Sequence, residues 1–139
     1  MSSTNVHFDK NIAFIIGVAN YEDSYISSLT TPLNDATLVA DTLARQDFHV
    51  ISDKDVTYAG MESMFYRIKQ ECTSERMRVV VYYAGHGIQK EDALGLKGYL
   101  LPSDAKHDNF TFHKVTYYQR LNFIINLNEL LYSTSIAFP

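Results

Sequence analysis

The run Arg78-Val79-Val80-Val81-Tyr82-Tyr83-Ala84 stops abruptly at Gly85-His86-Gly87. No other stretch limits the fold so tightly. An unbroken series of β-branched and aromatic residues favours extended backbone, and the lack of polar alternates predicts burial on both faces. Strands buried on both faces belong to parallel sheets covered by helices. In open sheets of this kind ligands bind beyond the carboxyl ends of the strands. His86 is therefore expected at the mouth of a sheet, between two residues without side chains. Gly85 is expected to turn the backbone sharply, and Gly87 to let a substrate approach a backbone N–H.

The rest of the chain fits the same α/β architecture. Its 139 residues allow one domain at most, with 1–10 a loose lead and 11–139 the folded part. Asn11–Val18 predicts a second buried strand, followed by a Ser-, Thr- and Tyr-rich loop over 20–31. Pro32 stiffens the start of a helix, with Asn34 the expected N-cap and Asp35 in the first turn, where negative charge is favoured. Ala36, Val39, Ala40 and Leu43 share one helical face. Phe48–Ser52 alternates as a short strand. Thr57 then caps a second helix whose stripe is Met61, Met64, Phe65, Ile68 and Cys72. Residues 87–98 read as a loop of mixed charge, Tyr99–Leu101 as a brief extended piece, and 107–123 as loop or lid. Asn126 and Glu129 have capping-box spacing and predict a last helix ending near Thr134. Strand–helix alternation argues for a parallel sheet with helices on both faces.

Several function classes are excluded. The net charge is −4 and the 12 Lys+Arg are scattered, which recommends neither nucleic acid nor an anionic membrane as partner. Ile12–Ala19 is the longest apolar stretch and is too short to span a bilayer. The polar N-terminus lacks a signal-peptide pattern, and a single cysteine forbids an internal disulfide, so a cytoplasmic protein is expected. His107 and His113 stand without a third histidine or a cysteine nearby and read as exposed loop residues, not a zinc pair. Glu91, Asp92, Asp104 and Asp108 form no EF-hand, so no metal is expected. Neither GxGxxG nor GK[ST] occurs, so no nucleotide cofactor is expected. A flavodoxin-like or Rossmann-like binder stays open as an alternative, without its phosphate fingerprint.

Three blocks carry a resemblance. They are Phe14-Ile15-Ile16-Gly17 with Asn20-Tyr21; Leu29-Thr30-Thr31-Pro32-Leu33-Asn34-Asp35-Ala36; and Val81–Gly87 followed by Tyr99-Leu100-Leu101-Pro102-Ser103-Asp104-Ala105. In this order they resemble the caspase-like (peptidase C14) domain of clan CD cysteine peptidases, in its metacaspase and paracaspase branch. The resemblance implies a three-layer, Rossmann-like parallel sheet with flanking helices, ordered 2-1-3-4-5-6, of which 11–139 would be a partial, p20-type domain with its C-terminal strands missing. It also implies a His/Cys dyad that cleaves peptide bonds, the thiolate attacking the carbonyl and the imidazole moving the proton. By position His86 matches the catalytic histidine, the Gly87 N–H the oxyanion donor, and Asp35 the S1 acid. A carboxylate there selects peptide or protein substrates with Arg or Lys at P1. His86 as a strand-end histidine and Asp35 as a first-turn helix acid remain the plain alternatives.

The sequence departs from the family at the nucleophile. Caspase cysteines follow the histidine by roughly 50 residues, and no cysteine follows position 72. Cys72 shares its helical stripe with Met and Phe and reads as packing. With three strands present, the His86 strand would be a bare edge that invites pairing. The segment after His107 would have to cover it, or a partner such as a full-length caspase-like protein would. The lone chain is expected to be inactive as a peptidase, or to act as a decoy or regulator of such a partner.

Overall fold

The computed structural model describes residues 7–72, 76–108, 116–117 and 131–137. Its central strand is β1 (Lys10–Gly17), where Ile12, Ala13, Phe14 and Ile15 are each 0% exposed. Burying each large side chain of this kind stabilises by about 1.5–3 kcal/mol. Helix α1 (Pro32–Ala44), strand β2 (His49–Lys54), helix α2 (Tyr58–Glu71) and strand β3 (Met77–Ala84) follow. β1 pairs in parallel with β2 on one side and β3 on the other. The crossover from β1 to β2 and that from β2 to β3 run in opposite directions along the sheet. Right-handed connections therefore place α1 and α2 on opposite faces.

The alternation of β1 shows the consequence. Ile12, Phe14 and Ile16 pack with Met61, Met64 and Ile68 of α2 and with Met77, Val79, Val81 and Tyr83 of β3. Ala13 and Ile15 pack on the other face with Ala36, and Val39, Ala40 and Leu43 of α1 lie against them. The helical stripes expected from spacing are the faces that are buried. Gly17 is where α1 meets the sheet: a Cβ there would stand 2.8 Å from the Pro32 carbonyl oxygen and 2.9 Å from the Ala36 Cβ. Only glycine allows so close an approach of helix to strand.

Four expectations are corrected. Three strands become four, and β3 is not a bare edge: of the covers weighed for it, the segment after His107 supplies one, β7 (Leu131–Ala137), which pairs with it in parallel from Arg78↔Leu131 to Ala84↔Ala137. The sheet order is β2-β1-β3-β7, so a fourth strand occupies the place next to β3. An uncovered β3 would leave a row of backbone donors and acceptors without partners, and this segment supplies them. The helix expected to end near Thr134 is accordingly a strand from Leu131, and 126–130 lie outside the described residues. Residues 87–98 are no loop: β4 (Gly87–Asp92) and β5 (Gly95–Leu100) form an antiparallel hairpin. Its two-residue turn closes at Gly95, whose φ of 110° suits glycine. Glycine and charged residues are depleted in strands, which hid this hairpin from a propensity reading. Within the stretch read as loop or lid, Thr116–Tyr117 forms β6 and pairs with β5.

The α1 cap also moves. Thr31, not Asn34, is the N-cap, and its side chain makes no capping hydrogen bond. Pro32 fits the first helical position, where its missing N–H costs nothing, and this draws the helix start forward. Thr57 caps α2 as expected, its Oγ1 accepting from the Gly60 N–H at 3.2 Å.

Candidate active site

His86 stands in the link from β3 to β4, at the carboxyl end of the parallel sheet, and its side chain is partly exposed. The loop after β1 folds over the same end. Its ends are close, with the Leu29 N–H donating to the Ala19 carbonyl at 2.9 Å. Ile26 anchors it, packing with Leu101 and Ala105 of the segment after β5. Compact loops with close ends are frequent carriers of function. From this loop the Ser27 carbonyl oxygen lies 2.7 Å from His86 Nε2. A carbonyl only accepts, so Nε2 carries a proton and donates it there. In the neutral imidazole Nδ1 then holds the lone pair, and among the described residues it has no hydrogen-bond partner.

The backbone of His86 is held as firmly. Its N–H donates to the Tyr21 hydroxyl at 2.8 Å. Its carbonyl accepts from the Tyr83 hydroxyl at 2.8 Å and from the Leu101 N–H at 3.0 Å. Tyr83 is 1% exposed, and its single hydroxyl proton is shared between the His86 carbonyl and the Leu101 carbonyl, the latter also at 2.8 Å. Burial pushes both phenols upward, Tyr83 further than Tyr21, so both hydroxyls stay protonated near neutrality. The backbone bends at Gly85, as expected, and the glycine is also required by space. A Cβ there would meet the Tyr83 hydroxyl at 2.5 Å and the Tyr21 hydroxyl at 3.0 Å, and no positive φ occurs at this glycine.

The register of the hairpin sets the Gly87 N–H. The Leu101 N–H bonds to the His86 carbonyl, which makes Gly87↔Leu100 a pair that exchanges no hydrogen bonds of its own. The Gly87 N–H therefore turns away from β5, off the outer edge of the hairpin. Asp35 lies in the first turn of α1, half-buried. That turn abuts Gly17, which pairs with Ala84 beside the His86 link. Asp35 is near enough to Tyr82 to raise its phenol further, after burial, the larger cause. His86, Gly87 and Asp35 thus lie at one end of the sheet, and the three sequence blocks converge there.

Asp55 ties the site to β2. Its carboxylate accepts from the Ala19 N–H at 2.8 Å, the Asn20 N–H at 2.9 Å and the Asn20 side-chain amide at 2.8 Å. Burial raises its pKa, but the three donors together outweigh this and hold it below the ordinary value. Its φ of 49° lies in the left-handed region, which aspartate tolerates better than most residues. Asp23 accepts from the backbone N–H of His107 at 2.9 Å and faces its Nδ1 at 3.0 Å. His107 is thus paired with a carboxylate and stacked on Tyr25, the ring centroids 4.2 Å apart. His113 lies outside the described residues. Ser27, Asp55 and Tyr83 carried no signal of their own in the sequence: Ser27 acts through its backbone carbonyl, Asp55 through a carboxylate whose partners lie far back in the chain, and Tyr83 is one aromatic in a buried strand.

Cys72 sits at the C-cap of α2, packed against the core on the α2 face. The adjacent Glu71 pairs with Lys10 at the start of β1, so this thiol is at the opposite end of the sheet from His86. Burial pushes its pKa up, the reverse of what a nucleophilic thiol needs. Among the described residues no group of three or more His, Cys, Asp or Glu side chains is placed to hold a metal, and no helix is long and apolar enough to cross a membrane.

Comparison with known proteins agrees with this geometry. No curated protein sequence matches the chain. Among solved structures, protein GSU0716 from Geobacter sulfurreducens is similar with a TM-score of 0.70 at 15% identity, over 93% of this chain and 50% of that one. At that identity the likeness concerns the fold, and the chain spans about half the length of that protein. The family model of the peptidase C14 caspase domain matches residues 10–121, most of the chain and all of β1 to β6; with the parallel sheet and the His86 site at its carboxyl end, the chain belongs to the caspase-domain family.

Proposed function

We propose that this chain carries the histidine side of a cysteine endopeptidase site of the metacaspase and paracaspase type. The observation that supports it is the Nε2–H of His86 held by the Ser27 carbonyl at 2.7 Å, which leaves Nδ1 as the base. In this reading Nδ1 takes the proton of a thiol and returns it to the leaving amine. The Gly87 N–H, turned off the hairpin edge, receives the developing oxyanion. Asp35 binds an Arg or Lys side chain at P1, by charge and, for arginine, by a two-pronged hydrogen bond. The nucleophile is not Cys72. The carboxyl end of β7 lies beside that of β3, Ala137 next to Ala84, so a cysteine carried just beyond β7 would face His86.

The test compares the 139-residue chain with one extended by its downstream coding sequence. Against fluorogenic peptides with Arg at P1, the short chain is expected to be silent. The extended chain is expected to hydrolyse them, and to lose about 10²-fold or more on His86→Ala. Asp35→Asn is expected to raise KM for basic P1 residues far more than it lowers kcat. Hydrolysis by the short chain, lost on His86→Ala, would overturn the assignment of the nucleophile; an extended chain indifferent to His86→Ala would overturn the site.

A second reading rests on β7, which among the described strands has a neighbour on one side only. Such an edge pairs with another strand. The chain then acts as a decoy or regulator docked on a full-length caspase-like protein. Gel filtration and pull-down with such a protein decide: a monomer that captures none of it counts against this reading.

A further inference from the structure

His86 has four polar atoms, and contacts from the end of β3 and from two segments distant in sequence hold three of them. The N–H goes to Tyr21 in the loop after β1, the carbonyl to Tyr83 in β3 and to Leu101 after β5, and Nε2 to Ser27. The two tyrosine hydroxyls are the hubs. They interact with each other, and both crowd the space a Gly85 side chain would need. The Tyr21 ring also lies against the imidazole, with centroids 5.0 Å apart and planes tilted by 56°.

We propose that Tyr21 and Tyr83 are positioning residues: their hydroxyls clamp the backbone of His86 from both sides, which keeps its ring on the Ser27 carbonyl and its Nδ1 directed outward. The physical argument is one of leverage. A solvent-side imidazole on a glycine-flanked link has a mobile backbone beneath it, since glycine restricts φ and ψ least. One hydrogen bond to a carbonyl at the tip of the ring is a weak restraint by itself, too little to fix both the backbone and χ1. The clamp removes the backbone freedom beforehand, so that the Ser27 contact has only the side chain to orient. A buried hydroxyl is suited to this. It accepts from the N–H or donates to the carbonyl without carrying charge. Such support is what holds a reacting group within the tolerance that catalysis needs. The inference rests on the reading of His86 given above, and extends it to residues that touch no substrate.

Tyr21→Phe and Tyr83→Phe isolate the hydroxyls, since both rings remain. NMR on the 139-residue chain reads the outcome. In the wild type, near neutral pH, the Nε2–H proton of His86 is expected as a resolved, slowly exchanging resonance with the nitrogen shift of an Nε2–H tautomer. In each variant that resonance is expected to be lost to exchange. The His86 amide in Tyr21→Phe is expected to exchange at least tenfold faster, with amides in the middle of β1 unchanged. Variants that keep both the imidazole proton and the amide protection overturn the clamp. Should neither variant fold, the wild type still decides: a His86 amide exchanging at the free-peptide rate overturns the proposal. Neither readout involves hydrolysis. A failed peptidase reading shows separately, as an inactive extended chain with an intact imidazole signal.

Discussion

The two ends of the parallel sheet are built differently. At the carboxyl end, loops are held by side chains that bond to backbone, all but Tyr83 from far along the chain. Tyr21 and Tyr83 bond to His86, Asp55 to Ala19 and Asn20, and Asp104 to the Tyr58 N–H at 2.8 Å. At the amino end, apart from a backbone bond from the Asp9 N–H to the Arg76 carbonyl at 2.8 Å, the side chains pair with other side chains. Lys10 pairs with Glu71, and the Arg78 guanidinium lies between the Phe8 and Phe48 rings, 5.2 and 5.1 Å from their centroids, with Nε donating to Asn11 at 2.7 Å. Bonds between flexible side chains adjust to one another and tolerate change. Bonds from a rigid ring or a short carboxylate to backbone fix a loop in one conformation. The difference favours the carboxyl end as the functional one, independently of any family likeness.

Gly85→Ala should break this comparison most severely. Its Cβ would meet a buried tyrosine hydroxyl at 2.5 Å, and overpacking of that kind costs about 3 kcal/mol. Urea unfolding of the variant measures it. In a Tyr83→Phe background part of that cost should vanish, because the clashing atom is gone. A glycine at the same end but outside the crowd around His86 behaves otherwise. A Cβ added to Gly60 in α2 would meet no atom closer than 3.5 Å, so Gly60→Ala should be neutral or stabilise by up to about 1 kcal/mol.

A smaller effect separates the loops by pH. Hydrogen bonds from His107 and Tyr25 hold the Asp23 carboxyl down at about 2, against an ordinary 3.8. A carboxyl whose folded pKa is depressed contributes stability above its unfolded value and loses it as pH falls through the folded one. The clasp between the loop after β1 and residue 107 is therefore fully present above 3.8 and lost on approach to 2. Asp23→Asn should lower the urea midpoint well above the ordinary carboxylate range and leave it little changed once the pH has fallen to about 2. The smallest effect is expected at the amino end, from Glu71→Gln. Its Lys10 partner is 39% exposed, so the change in midpoint should be slight and should fade in high salt.

Much of this was legible in the residues. Unbroken apolar runs marked β1 and β3, and helical spacing marked the buried faces of α1 and α2, because burial on a sheet forces those periods on the sequence. The β4–β5 hairpin was not legible, since its glycines and charges obscure a strand whose pairing comes from its neighbour. β7 was not legible either. Leu131–Ala137 follows a helix-like capping pattern, and what makes it a strand is the edge of β3 that it covers.

The sequence by itself determined the α/β class, the two helical faces and the place of His86 at a strand end, for these follow from local periodicity and from glycine. Tertiary structure alone decided the imidazole's tautomer, the direction of the Gly87 N–H and the reason for Gly85. Each of those depends on an atom that a distant segment brings in, the Ser27 carbonyl, the Leu101 N–H and the Tyr21 hydroxyl, joined at Gly85 by the hydroxyl of nearby Tyr83. Contacts across such separations leave no period in a sequence, and only a folded chain brings them within hydrogen-bonding range.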